Sequence, residues 1–149
     1  MTKKVVPALA TTIAITPKAG VLTALGQVVK IKPANPKKDP IDTTDLSSAW
    51  MEALLSIPDG GECEFTILWD STNAGHAAVW TNFTDASPTD AMAALWTITF
   101  NDKVTTEGTT VTFNGAVSAF PWDELDVKKV STVPVTVKIT GAITITPAT

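Results

Sequence analysis

Apolar and polar side chains alternate from Glu62 to Trp69, with Cys63, Phe65, Ile67 and Trp69 on one face and Glu62, Glu64 and Thr66 on the other. Only Leu68 breaks the period of two, which predicts a half-buried β-strand. Ahead of it, Asp59-Gly60-Gly61 offers positive-φ positions for a sharp turn, because glycine has no Cβ to clash there. Behind it, Asp70-Ser71-Thr72-Asn73 carries side-chain oxygens suited to accept bonds from the free amides of a helix start. Ala74, Ala77, Ala78, Trp80 and Phe83 follow, predicting a short helix over residues 73–83 with a compact apolar face.

Elsewhere threonine recurs beside valine and isoleucine, the β-branched signature of strands. Strands are predicted at 10–16, 27–32, 62–69, 95–101, 109–119 and 131–140, the last with a continuation at 143–146. Trp96, Ile98 and Phe100 match Val111, Phe113 and Val117 across a connection from Lys103 to Gly108, which reads as a β-hairpin. Val133, Val135, Val137 and Ile139 share one face of the last strand, opposite Thr132, Thr136, Lys138 and Thr140. Pro134 lies on that polar side, and since proline donates no ladder bond, part of this strand is expected to lack a neighbour. The fold class is therefore mainly β: a two-sheet β-sandwich or flattened barrel with one short α-helix packed against it.

One stretch departs from this pattern. Residues 33–60 pass through Pro33, Pro36, Pro40 and Pro58, with Lys37 and Lys38 followed by Asp39, Asp42 and Asp45. Only 47–55 has room for a helical turn or two, gathering Trp50, Met51, Leu54 and Leu55. A long projecting loop inside a compact domain is usually functional or disordered, and a solvated linker has no use for such apolar residues. An arm with an apolar surface waits for a partner.

At 149 residues the chain fits a single domain, 1–149, able to bury a core without disulfides or metals. One cysteine permits no intrachain disulfide, in keeping with a reducing compartment. The formal charge is −4 and every basic residue is lysine, which argues against a tight DNA or RNA reader built on guanidinium forks. Lys3 and Lys4 precede Val5-Val6, and Ala8-Leu9-Ala10 resembles a cleavage site, yet Pro7, Thr11-Thr12 and Pro17 interrupt any signal core. No apolar run approaches a membrane span, so a soluble, unexported chain is expected.

Candidate chemistry is sparse. Cys63 and His76 form a formal nucleophile–base pair, but Cys63 shares a face with Phe65 and Ile67 and reads as an inert core thiol. Asp39, Asp42 and Asp45 lack the spacing and glycine of a calcium loop and read as turn caps. Asp123, Glu124 and Asp126 read as a solvated loop, and no phosphate-binding, serine-hydrolase or dinucleotide motif is present. No catalytic residue, metal or cofactor is expected.

The order of motifs carries more than any one of them. Asp42, Thr44 and Asp45, then Asp59 to Glu62 opening an aromatic strand, then Asp70 to His76 opening a helix, come first. Val111 to Val117 (V-T-F-N-G-x-V) and a valine-threonine strand ending at Thr140-Gly141 follow. Over roughly the last two-thirds of the chain this resembles the major tail tube proteins of long flexible-tailed, lambda-like bacteriophages. Residues 85–95 look longer than the family's connection, and no immunoglobulin-like domain follows Gly141, so a decorated tube is not expected.

The resemblance implies a structural, non-enzymatic virion protein whose rings, hexameric in that family, stack into a hollow tail tube through which DNA passes without specific binding. The implied partners are the chain itself, tape measure, tail terminator and baseplate proteins, with no membrane. The location would be the virion tail, and the host cytoplasm during assembly. Ile41, Asp42, Thr44, Leu46, Trp50, Met51 and Leu54 become candidate inter-subunit or inter-ring contacts. Glu62 and Glu64 become candidates for facing the lumen, with Asp102 and Glu107 also open. Alternatives are another ring-forming tail or baseplate component, or a non-catalytic β-sandwich binding module.

Overall fold

A computed structural model describes residues 10–18 and 20–149. The signal-like stretch from Lys3 to Leu9 lies outside the described residues. Eleven elements follow in chain order: β1 (Thr12–Thr16), β2 (Thr23–Leu25), β3 (Val28–Lys32), β4 (Pro40–Asp42), β5 (Ala53–Leu55), β6 (Glu62–Leu68), α1 (Ala74–Thr84), α2 (Pro88–Met92), β7 (Leu95–Thr99), β8 (Thr110–Ala119) and β9 (Thr132–Thr146).

Of the two mainly β forms expected, a two-sheet sandwich or a flattened barrel, the structure takes the second: one antiparallel seven-stranded sheet, ordered β2-β1-β7-β8-β9-β6-β3, is curled into a half-barrel. Ile13, Ile15, Phe65, Ile67, Trp96, Ile98, Phe113, Val133, Val135 and Val137 fill its inner face and are almost wholly buried. The expected β7–β8 hairpin forms, with Trp96 opposite Phe113 and Ile98 opposite Val111, while Phe100 lies just past β7 and Val117 pairs with Val137 of β9. Two register shifts between β8 and β9 help the sheet curl, because an unpaired extra residue bends its strand. One of them lets β9 run on past Gly141, at φ +76°, joining the two segments predicted separately.

Pro134 sits where the chemistry requires. It faces Thr66 of β6, while the ladder to β8 reaches only as far as Thr136, so β9 has no strand on its other side there. At the far end the asymmetry reverses. β6 pairs no further than Lys138, one more bond joins the Ile139 amide to the Gly61 carbonyl at 3.1 Å, and beyond it that edge of β9 is open.

Helix α1 starts where its cap predicts, with Asn73 Oδ1 accepting from the Gly75 and His76 amides at 2.8 and 3.2 Å. Its buried stripe differs from the expected one: Gly75, His76 and Val79 face the sheet, while Trp80 and Phe83 remain more than a third exposed. The cause is close approach, since a Cβ on Gly75 would lie 2.4 Å from the Ala24 carbonyl oxygen. Asn82 locks the helix from the other end, its Oδ1 accepting from the Val117 amide at 2.8 Å and its Nδ2 donating to Ala91 O at 3.0 Å. The unpredicted α2 occupies the long 85–95 connection, capped by Ser87 with Pro88 in its first turn.

Candidate assembly surfaces

The arm is a β-hairpin. β4 pairs with β5, Pro40 opposite Leu55, Ile41 opposite Leu54 and Asp42 opposite Ala53, and a bridge between Lys37 and Asp59 closes its base with bonds of 2.9 and 2.7 Å. This corrects the helical turn expected within 47–55: Leu54 and Leu55 lie in a strand, because pairing with β4 satisfies their backbone. The tip is held by its own polar groups. Asp42 accepts from the Thr44 amide at 2.9 Å, Thr44 Oγ1 exchanges bonds with the Glu52 amide and carbonyl, and Asp45 accepts from the Ser47 amide and hydroxyl. These bonds hold the Asp42 and Asp45 carboxyls below the usual carboxylate range.

Nothing covers the arm in the isolated chain. Ile41, Leu46, Trp50, Met51 and Leu54 are exposed, Trp50 and Met51 each by 86 %. Ile41 and Leu54 share one face and Leu55 the other, so both faces of the hairpin are apolar. An isolated two-stranded hairpin is marginal in water, and this one presents its apolar side chains to solvent. At its foot an open, mostly apolar cleft of about 1190 Å³ lies between Pro33, Ile57, Pro58 and the stretch of β9 from Ile139 to Ile143. Gly61, at φ +73°, makes the turn there; a Cβ on it would lie 2.3 Å from the Asn35 carbonyl oxygen.

The outer face of the sheet is polar and rich in threonine. Glu62 and Glu64 are exposed on it, as the alternation predicts. Their neighbours are cationic, which the sequence pattern does not reveal: Glu62 is registered opposite Lys138, and Glu64 lies between Thr136 and Lys32. Lys138 also reaches Asp59 Oδ1 at 3.6 Å. The Asp59 carboxyl is held low by the Gly61 amide first and by Lys138 second. The face is thus mixed in sign. Asp102 does not belong to it, being 8 % exposed and accepting from Thr109 N and Oγ1 at 2.6 and 2.7 Å.

A third surface lies at the rim opposite the arm. Trp69, Trp80, Phe120 and Trp122 pack edge to face or tilted at centroid distances of 5.1–5.8 Å. The loop that follows stands in solvent, with Leu125, Val127 and Val130 at 75, 101 and 66 % exposure. Sequence reasoning treated this loop through its carboxylates alone; the signal passed over was Val127-Lys128-Lys129-Val130, where valines have no structural need to be.

Cys63 and His76 are not a reactive pair. Burial pushes the Cys63 thiol up to about 12, with a smaller contribution from Glu64. His76 is fully buried with both ring nitrogens engaged, by the Asp70 amide at 3.1 Å and the Gly26 carbonyl at 2.7 Å. Among the described residues no group of three metal-ligating side chains gathers, and no helix is long and apolar enough to cross a membrane.

The curled sheet, with α1 and the shorter α2 packed against it, has the tail tube protein fold. Among solved structures the chain is similar to one from the anti-feeding prophage baseplate, TM-score 0.76 at 8 % identity over 99 % of this chain and 98 % of that one. A chain of the PVC sheath/tube terminator of an extracellular contractile injection system gives 0.73 at 10 % identity over 98 % and 99 %. One from the SPP1 tail tube gives 0.73 at 7 % identity over 95 % and 80 %. No family model matches the chain, and no curated protein sequence matches it.

Proposed function

We propose that the chain is a structural, non-catalytic subunit that assembles with copies of itself into stacked, hexameric rings forming the hollow tube of a phage tail, through which DNA passes. The carrying observation is the pairing of a tube-protein fold over nearly its whole length with an exposed apolar hairpin that has no role in the subunit's own core. The arm contacts the neighbouring subunit or ring through Ile41, Asp42, Thr44, Leu46, Trp50, Met51 and Leu54. The open edge of β9 pairs with a neighbour's strand, so that joined sheets line a continuous channel. Glu62 and Glu64 face that channel, and Lys32 and Lys138 beside them leave the lining near neutral, which keeps the polyanion from sticking. Terminator and baseplate proteins cap the two ends, a tape measure protein fills the tube during assembly in the host cytoplasm, and the finished product is part of the virion tail.

A second reading, a specialised ring at one end of a tube, is favoured by the similarity to a baseplate chain and a tube-terminator chain. Electron microscopy of purified protein at rising concentration separates the readings. Long tubes are expected; single rings that never lengthen would select the terminal ring, and a monomer at every concentration would overturn both. Replacing residues 38–58 by a short linker is expected to leave a folded subunit that forms no tubes, and unchanged tube yield would remove the arm from the proposal.

A further inference from the structure

Across the sheet, Ile13 of β1 lies opposite Ile98 of β7, Ile98 opposite Val111 of β8, and Val111 opposite Ile145 of β9. Opposed residues share a face, so the four form one apolar row on the concave side. Its cover thins along the row: Ile13 and Ile98 are fully buried and Val111 nearly so, whereas Ile145 is 66 % exposed. Beside Ile145, Phe100, Val111 and Ile143 line the open cleft that Pro33 and Ile57 bound from the foot of the arm. Phe100 and Ile143 already pack on the core. The cleft is thus an uncovered end of the core.

The chain enters β1 at this same end. Thr12 opposes Thr99, and Thr110 opposes both Thr99 and Thr146, which sets the start of β1 level with the cleft. Three strand spacings, about 14 Å, separate β1 from β9, and the curl of the sheet shortens the direct path. Just ahead of β1 the backbone turns at Ala10, at φ 65°, a left-handed conformation that alanine rarely adopts. Ahead of that turn the sequence reads Lys3-Lys4-Val5-Val6-Pro7-Ala8-Leu9, a stretch able to reach about 23 Å when extended.

We propose that residues 5–9 of the same chain fold back over the mouth of the half-barrel and occupy this cleft, with Val5, Val6 and Leu9 covering Ile143 and Ile145 and with Lys3 and Lys4 left in water. Tethering selects this occupant. A segment held within about 14 Å of its site has an effective concentration of the order of millimolar, which a free partner would have to exceed. Pro7 has no N–H to place in a ladder, so the contact is made through side chains and the open backbone edge of β9 stays free for pairing. The signal-like pattern of two lysines before an apolar stretch then has a role in the fold itself.

A Val6→Cys/Ile145→Cys chain tests this. Oxidation should convert most of the protein to a faster-running monomer band on a non-reducing gel, whether or not the chain is assembled, while the buried Cys63 stays silent. Separate Val6→Cys and Ile145→Cys chains, mixed and oxidised, should give no crosslinked dimer. A mutant cycle supplies a second reading. Leu9→Ser and Ile145→Ser should each lower the melting temperature by about 3 °C, and the double variant by about 3 °C rather than about 6 °C, because both remove one contact. No intramolecular crosslink, a crosslink only between chains, or melting losses that are additive or absent overturns the proposal and leaves the tube reading standing.

Discussion

His76 Nε2 lies 2.7 Å from the carbonyl oxygen of Gly26, fifty residues earlier in the chain. The Asp70 amide donates to Nδ1 of the same ring, so the ring proton resides on Nε2 and is given to Gly26. One buried imidazole thus ties the start of α1 to the β2–β3 turn and to the exit of β6. His76→Phe keeps the ring's bulk but leaves the part-buried Asp70 N–H and Gly26 C=O without their partner, and should cost about 1–3 kcal/mol in urea unfolding. A loss under about 0.5 kcal/mol would show the bonds to be incidental.

Cys63 should resist thiol reagents in the native subunit at neutral pH and react at once in denaturant. Its folded pKa, about 12, lies above the ordinary 9.0. The folded state therefore holds its proton where the unfolded chain has lost it. The stabilising contribution is complete below 9.0 and drains away as pH rises towards about 12. Denaturant midpoints followed from pH 8 upward should fall less for Cys63→Ala than for the parent chain.

Gly61 and Gly141 share a left-handed backbone but not their surroundings. At Gly61 an added Cβ meets the Asn35 carbonyl, whereas at Gly141 nothing lies within 4 Å. Gly141→Ala should cost only the conformational strain, about 1 kcal/mol. Gly61→Ala should cost clearly more, about 2–4 kcal/mol, because the turn at the foot of the arm must also shift. Paired thermal melts read the difference, and equal losses would refute the close contact.

Trp50→Ser/Met51→Ser should leave the subunit's thermal stability within about 0.5 kcal/mol of the parent, since neither side chain touches the core. Tube formation should be abolished over the concentration range in which the parent assembles. Loss of both stability and assembly would mean that the hairpin supports its own subunit.

What the sequence made legible follows from how local each cause is. The β6 alternation, the Asn73 cap and the proline on the polar side of β9 are set by neighbouring residues and appear where the pattern puts them. The hairpin form of the arm was hidden because Trp50, Met51, Leu54 and Leu55 also fit a helical turn, and only pairing with Ile41 and Pro40 decides otherwise. The stripe on α1 was misjudged because Gly75 reads as a weak helix residue until the backbone of β2 lies against it. Among the candidate contacts, the exposed apolar arm was visible from composition, whereas the lysines flanking Glu62 and Glu64 come from β3 and β9 and are brought there by register alone.

The position of β9 has a further consequence for how a newly made chain behaves. β9 joins the β2-β1-β7-β8 half of the sheet to the β6-β3 half, yet every other strand precedes it in the chain. During synthesis the two halves have no strand to unite them until residues 132–146 leave the ribosome. An incomplete chain therefore has an arm but no finished body to carry it, and under the proposed assembly translation itself delays polymerisation until the subunit is whole.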